Sequence, residues 1–493
     1  MRIWRRGPRL ARLGGNDGGE ARRLAELERA AGAVPEGCAW LDDRTVDDLD
    51  LAQVFGAIDR THTATGAQVL WRWLAAPARS LDVLAARERE IAAVADPAVR
   101  ERLGAALGTT PAADAAMLPR LLWEPPAAPL SGALLWTLAG AMIALLVLAR
   151  WWPPALLGAV AIFGVNLILD DWSKLRLAQQ ARGLEVLDDA LKCAARVAAV
   201  VPAELAPPDL GVRRLVHRRM AILTLQDPFD LLNLLRAGLL VRLIVTRSAM
   251  QLVDAERARL REIVLWVGKV DAVCSVAALR AERADTRIAQ VVAGDRAIVA
   301  RDLAHPAIPN AIGNDLELRD GLLVTGSNMS GKSTFLRTVA VNAILAQAIH
   351  TTFGAWRATP LTVRTVMRIA DDPARGMSTY AIEVAAIGEL VAAGEGDMLF
   401  VVDEPFNGTN PTIRVPIVVA VLEYLVDHGL VVAATHDLDV ATRLNPRFAR
   451  GYFEELDEGG FDRHLRAGIA PASNAVEILR RAGYPNEILR RLL

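Results

Sequence analysis

The sequence predicts an α + α/β protein, helical to about residue 290 and a parallel α/β domain from there on. Apolar residues recur at three- and four-residue spacing in Leu184–Val200 and Ala255–Leu279, the period of amphipathic helices. From about Ala297 short apolar runs alternate with helical stretches, the order of a sheet built with crossover helices. A glycine-rich loop, Gly326-Ser327-Asn328-Met329-Ser330-Gly331-Lys332-Ser333-Thr334, then stands between one such strand and one such helix. It fits G-x-x-x-x-G-K-[ST], the phosphate-cradling P-loop.

Taken in order, residues 1–37 open with Arg2, Arg5, Arg6, Arg9 and Arg12 and read as a basic, flexible tail. No apolar segment follows these arginines, so the start is not a cleavable secretion signal. Residues 38–126 read as the first part of a helical core. Residues 127–170 form the most unusual stretch. No charge interrupts Ala127 to Ala149, long enough as a helix to cross a ~30 Å hydrocarbon layer. Arg150-Trp151-Trp152-Pro153-Pro154 predicts a turn, and a second uncharged run from Ala155 to Leu169 closes at Asp170, Asp171, Trp172 and Lys174. Tryptophans at both ends favour a transmembrane helical hairpin over a hairpin buried in a soluble core. Residues 171–290 continue the helical core. Asp227-Pro228 breaks the chain there, and Phe229–Val245 carries Arg236 and Arg242, which suits a core or surface-lying helix rather than a third span.

In residues 291–493, Gly321–Thr325 reads as a buried strand before the P-loop and Phe335–Ile349 as the helix after it. Gly326 and Gly331 permit the tight turn that points successive N–H groups at phosphates, and the helix N-terminus adds partial positive charge. Lys332 is expected to reach the β- and γ-phosphates, and the Ser333 hydroxyl to ligate Mg²⁺. Met398–Val402 suits a central parallel strand and ends in Asp403-Glu404. Asp403 is placed to hold Mg²⁺ through water, and Glu404 to polarise an attacking water. Leu430–Ala434 repeats the pattern and ends in Thr435-His436-Asp437. His436 alone reads as a structural histidine; beside the other elements it reads as a γ-phosphate sensor.

This ordered set resembles the ATPase domain of MutS-type mismatch-repair proteins. Asp371-Asp372 and Gly376-Met377-Ser378-Thr379-Tyr380 through Glu383 look like that family's signature segment, and Asp403 to Asn410 like its Walker B and adjoining loop. Gly468-Ile469-Ala470, Ser473-Asn474-Ala475 and Gly483-Tyr484-Pro485 resemble its closing helical tail, with Ala475–Ala482 a helix. Upstream, Leu41-Asp42, Thr45, Leu49-Asp50-Leu51, Asp59-Arg60-Thr61 and Thr65-Gly66 look like the opening of its helical core. Val270-Asp271 to Ala277 resembles the end of its lever helix, and His305-Pro306 its His-Pro near the nucleotide domain. Departures are small: Ser327 and Ser330 stand for the usual Pro and Gly, and Asp437 for an aromatic residue.

The resemblance implies an ABC-like P-loop NTPase domain that binds ATP and Mg²⁺ and works as a homodimer through that domain. Ser378 of one subunit would approach the γ-phosphate held by Lys332 of the other, Asn328 would help hold that phosphate or the water, and Glu404 and His436 would act as above. Without the family pattern, Ser378-Thr379 is an ordinary helix cap and Glu383 lies on a solvated face. The family's mismatch-reading domain precedes the core, and only about forty residues precede it here, too few for an ordinary domain. The chain is therefore expected not to read mismatches itself, and DNA is left open as a partner. With ATP in the cytosol, the hairpin implies a place in the inner (cytoplasmic) membrane with the ATPase domain on the cytosolic side. An ABC-type transport ATPase and an ATP-binding module without DNA function are the alternatives; the Leu-Ser-Gly-Gly-Gln signature of the former is missing.

Composition agrees. The 493 residues allow two or three domains, and 53% hydrophobic content is high for a soluble chain. A net charge of −1 excludes an overall basic nucleic-acid-binding field. Cys38, Cys193 and Cys274 are too few and scattered for a zinc site or a disulfide framework.

Overall fold

Two compact units make up the computed structural model: residues up to 33 with 60–71 and 93–275, and residues 34–59 with 72–92 and 276 onward. The structure describes residues 19–108, 117–124, 131–224, 237–327, 330–367, 379–393, 396–407, 410–455 and 461–470. Space therefore divides the chain differently from its linear order.

In the first unit, the tail expected over 1–37 is helical from Gly19 to Ala30 and buries Ala21, Leu24 and Ala25. These apolar residues recur at helical period, so an amphipathic helix outcompetes a solvated tail there; Arg2 to Arg12 lie outside the described residues. The apolar stretch folds as a helix Gly132–Leu148, a turn through Trp151, and a helix Ala155–Ala198. The second leg was expected to close at Asp170-Asp171 and to be separate from Leu184–Val200. Instead one helix of 44 residues spans both. Charge ends an apolar span but not a helix, and Asp170 is met by Arg242 at 3.6 Å. The Asn166 amide, fully buried on the same helix, donates to the Gly238 carbonyl at 2.6 Å. Leu135, Leu240 and Leu243 pack together beside them. Asp227-Pro228 and the start of the expected Phe229–Val245 helix lie outside the described residues; a helix Val241–Ala255 follows.

The motifs at 60–66 and 270–271 meet in this unit. Asp271 is wholly buried and accepts from His62 N at 3.0 Å and from Thr63 N and Oγ1, both at 2.7 Å. A side chain at Gly66 would overlap the Asp271 carboxylate, which is why only glycine fits there. A buried carboxylate is tolerable only with such donors.

The second unit is built on three sheets. The strands are β1 (Thr286–Ile288), β2 (Gln290–Val291), β3 (Ile298–Leu303), β4 (Asn314–Leu318), β5 (Gly321–Thr325), β6 (Thr351–Phe353), β7 (Ala355–Ala358), β8 (Thr362–Val366), β9 (Met398–Asp403), β10 (Leu430–Thr435), β11 (Phe448–Glu455) and β12 (Phe461–Ala467). The main sheet runs β12-β11-β5-β10-β9-β8, parallel except for β12. Its centre is buried on both faces, which is why β5, β9 and β10 read as unbroken apolar runs. The tail after Phe461 was expected to return to helix. It first pairs as β12 on β11, covering a sheet edge that would otherwise present unpaired backbone groups. The expected helix Ala475–Ala482 and the motifs from Ser473 onward lie outside the described residues.

Residues 34–59 and 72–92 complete this unit. Asp42 caps the helix Asp43–Asp48 by accepting from Thr45 N. The Asp48 carboxylate, 4% exposed, accepts from Thr365 Oγ1 at 2.8 Å and from Met367 N at 3.0 Å. Arg337, on the helix after the P-loop, donates to the Asp48 carbonyl at 2.9 Å. Glu88 is held by Arg280 at 2.7 Å and His350 at 2.9 Å. Burial alone would raise its pKa, but the hydrogen bonds and charges of His350 and Arg280 bring it down to about 2.

Candidate functional site

Strand register brings the chemistry together. β10 lies between β5 and β9, with Thr435 opposite Thr325 and Ala434 opposite Asp403. The three strands thus end level, and the P-loop, Glu404 and His436 leave the sheet at one edge. That edge, outside the carboxyl ends of parallel strands, is where open α/β sheets bind ligands.

Gly326 and Gly331 have φ of 147° and 112°, the left-handed region that favours glycine. Gly331 starts the helix Lys332–Ala348, whose first-turn N–H groups face the loop. Lys332 is buried, and its ammonium donates to the carbonyls of Gly326 and Ser327 at 2.8 and 2.9 Å. Glu404 Oε1 lies 3.6 Å from the same nitrogen and 3.4 Å from His436 Nδ1. Burial lowers the Lys332 pKa, opposed by the charges of Glu404 and Asp403. Burial raises that of Asp403, opposed by a hydrogen bond from the Ser333 hydroxyl.

Glu404 and Phe406 adopt left-handed backbone with φ of 49° and 58°, unusual for residues with a side chain. Such strain costs on the order of 1–3 kcal/mol per residue and persists only where neighbours over-determine it. Here the Glu404 N–H donates to the Ala434 carbonyl at 2.9 Å. Phe406 is buried beside Tyr380. Asp437, the departure from the family's aromatic residue, caps the helix Leu438–Arg443 and pairs with Arg414 at 3.0 Å.

The residues present fit a magnesium nucleotide. Asp403 Oδ1, Ser327 Oγ and Ser330 Oγ are buried without a hydrogen-bond partner among the described residues. An orphaned carboxylate oxygen near the Ser333 hydroxyl is the hard-oxygen donor set Mg²⁺ takes, and buried serine hydroxyls in the loop suit an oxyanion. Of the residues expected in the site, the structure brings Gly326, Ser327, Ser330, Gly331, Lys332, Ser333, Asp403, Glu404 and His436 to this edge. Thr334 is exposed one position further along the helix. Asn328, Met329 and Ser378 lie outside the described residues, as do Asp371-Asp372 and Gly376-Met377. Glu383, the last residue of the segment that resembles the family's signature and on a solvated face only without that resemblance, is 4% exposed.

Sequence reasoning missed the pocket next to the loop. A cavity of about 180 Å³ is lined by His305, Ile312, Gly331, Thr334, Phe453 and Arg463, among others. That is several times the ~30 Å³ share of one water. Burial, with the nearby Arg337 charge, takes the His305 pKa down to about 4, so its ring is neutral at pH 7. The only signal for it was His305-Pro306, because the lining comes from scattered positions with no shared period.

Residues 322–492 match the family described as MutS domain V. A DNA mismatch repair protein MutS of Chloroflexus aurantiacus is 32% identical over 252 residues, 47% of this chain and 26% of that protein. One of Natronomonas pharaonis is 32% identical over 262 residues, 50% of this chain and 30% of its own length. A DNA mismatch repair protein MutS 2 of Halobacterium salinarum is 33% identical over 254 residues, 47% of this chain and 28% of that protein. The chain spans less than a third of these relatives.

Proposed function

This chain belongs to the MutS family, and on that premise we propose that it is a membrane-anchored, dimeric, ATP-hydrolysing switch. The observation that carries the ATPase reading is the meeting of Lys332, Asp403, Glu404 and His436 at the sheet edge where the P-loop turns. Lys332 would neutralise the terminal phosphates of ATP. Ser333 and Asp403 would hold Mg²⁺, which supplies further positive charge at the β- and γ-phosphates. Glu404 would orient and deprotonate the attacking water, and His436, within reach of Glu404, would sense the γ-phosphate. Asn328 would support the same phosphate, and Ser378 of the partner subunit would complete the site. The partly apolar pocket at His305, Phe453 and Arg463 would take the nucleobase. Only a difference in ATP affinity between open and closed dimers can drive the switch. Replacing Glu404 with Gln, which should keep ATP bound and halt turnover, tests this half of the reading.

Anchoring is supported by the exposure of the apolar hairpin. Ala155–Trp172 has a mean hydropathy of 1.6, yet only 22% of it is buried. Trp136, Trp151, Leu157 and Ile168 are 65, 75, 77 and 72% exposed. A helix in a soluble core hides such residues. Tryptophans lie near both ends of the hairpin, about 22 Å apart on the first leg and about 30 Å on the second at about 1.5 Å per residue, close to the separation of two membrane interfaces. Gly132–Leu148 is the shorter leg. We place the chain in the inner membrane with its nucleotide unit in the cytosol. Carbonate-washed membranes should retain the full chain and release a variant lacking residues 127–170; equal release of both removes the anchor.

The relatives are named for DNA mismatch repair, so duplex DNA enters as a partner class. One local face suits it. The helix Val212–Thr224 buries Val212, Val216 and Met220 and exposes Arg214 and Arg218. Neither of these two guanidinium groups has a partner among the described residues. Duplex affinity should fall steeply with salt and weaken when both become Gln; affinity indifferent to salt argues against phosphate contacts.

A further inference from the structure

We propose that Glu383 is a positioning residue for ATP hydrolysis: it holds the strained turn at residues 404–407 and so aims the Glu404 carboxylate. The proposal rests on the ATPase reading and assigns that site a further residue, one that acts through Glu404.

Glu383 lies on the helix Thr379–Ala392, one turn in from its start. Its carboxylate is buried, and Oε1 accepts from the Asn407 N–H at 3.2 Å. The Asn407 side-chain amide in turn donates to Glu404 Oε2 at 3.4 Å. A second contact joins the same helix and turn: the Tyr380 and Phe406 rings lie 6.4 Å apart between centroids. The turn is thus gripped at two adjacent residues, one by an aromatic contact and one by a hydrogen bond.

The grip answers a specific need. Glu404 and Phe406 are both in the left-handed region, where no glycine relieves the cost. Left alone, the turn would relax, and the Glu404 carboxylate would swing away from Lys332 and His436. Backbone pairing to Ala434 fixes only the first residue of the turn. Asn407 is its last described residue, and the Glu383 bond fixes that end. A buried carboxylate is costly unless its oxygens are used.

The helix begins directly after the segment that includes Ser378. Misplacing a catalytic group by an ångström from a distance can cost about a hundredfold in rate.

Five chains test this: wild type, Glu383→Ala, Glu383→Gln, Glu404→Gln and the double variant Glu383→Ala/Glu404→Gln. Glu383→Ala should lower kcat by about 10–100-fold with KM for ATP within about twofold, the pattern of a purely transition-state loss. Glu383→Gln keeps an acceptor oxygen at Oε1 and should recover most of the rate. The double variant should be no slower than Glu404→Gln alone, because positioning works only through the group it positions. A retained ATP-dependent thermal shift in each variant shows that it has folded. Wild-type kcat in Glu383→Ala overturns the proposal. So does Glu383→Gln as slow as Glu383→Ala, or a double variant slower than Glu404→Gln by the full Glu383→Ala factor. If instead the wild type does not hydrolyse ATP, the ATPase reading itself has failed.

Discussion

Replacing Glu404 with Gln should slow ATP turnover by about 10²–10⁴-fold, the usual range for loss of a general base. The change keeps the side chain's size and one acceptor oxygen but removes the charge that faces Lys332 at 3.6 Å and His436 at 3.4 Å. ATP binding should persist, since the loop, Lys332 and the Ser333–Asp403 pair are untouched. The variant should therefore accumulate as an ATP-loaded dimer, seen as an earlier elution volume with Mg·ATP present. Single-turnover hydrolysis separates the chemical step from product release, and an unchanged single-turnover rate would take the base role from Glu404.

Lys332→Ala should abolish nucleotide-dependent stabilisation. A ligand at a hundred times its Kd stabilises the folded state by about 2.7 kcal/mol. For a unit of this size that is a rise in Tm of several degrees. In wild type, Mg·ATP should produce such a rise; in Lys332→Ala it should vanish. The lysine cannot be treated as ordinary structural charge. It is 4% exposed, and its local bonds are to two loop carbonyls and a nearby carboxylate. Removing it also takes away the positive charge that faces both Glu404 and Asp403, so the apo variant is expected to lose some stability of its own. A full ATP-dependent shift in Lys332→Ala would show that phosphate binding does not depend on this side chain.

Much of the site was legible because its residues sit at the ends of apolar runs. A strand buried on both faces is written as three to five consecutive apolar residues, and the residue just past such a run must lie at the sheet edge. Gly321–Thr325, Met398–Asp403 and Leu430–Thr435 all obey this. Their neighbour relations were not legible, since register across β5, β10 and β9 is a tertiary property. The same limit hid Glu383. One carboxylate in a helix reads as solvated unless its partner is known, and Asn407 is 24 residues away. The strand β12 was missed for another reason. Edge strands are short and half exposed, so Phe461–Ala467 carries no buried apolar run to announce it. The hairpin's second leg was misjudged in length because hydropathy measures where an apolar span ends, not where a helix does.

Asp48 and Thr365 are 317 positions apart in sequence and 2.8 Å apart in space. The segment around Asp48 leaves the ribosome long before β8 exists, so its buried carboxylate stays uncompensated until most of the chain has been made. The apolar hairpin emerges in between. Synthesis thus sets an order of events in which early segments wait for late ones. It also means that no single cut frees the nucleotide unit: a fragment starting at residue 276 would keep Arg337, Thr365 and Met367 but discard the group they grip.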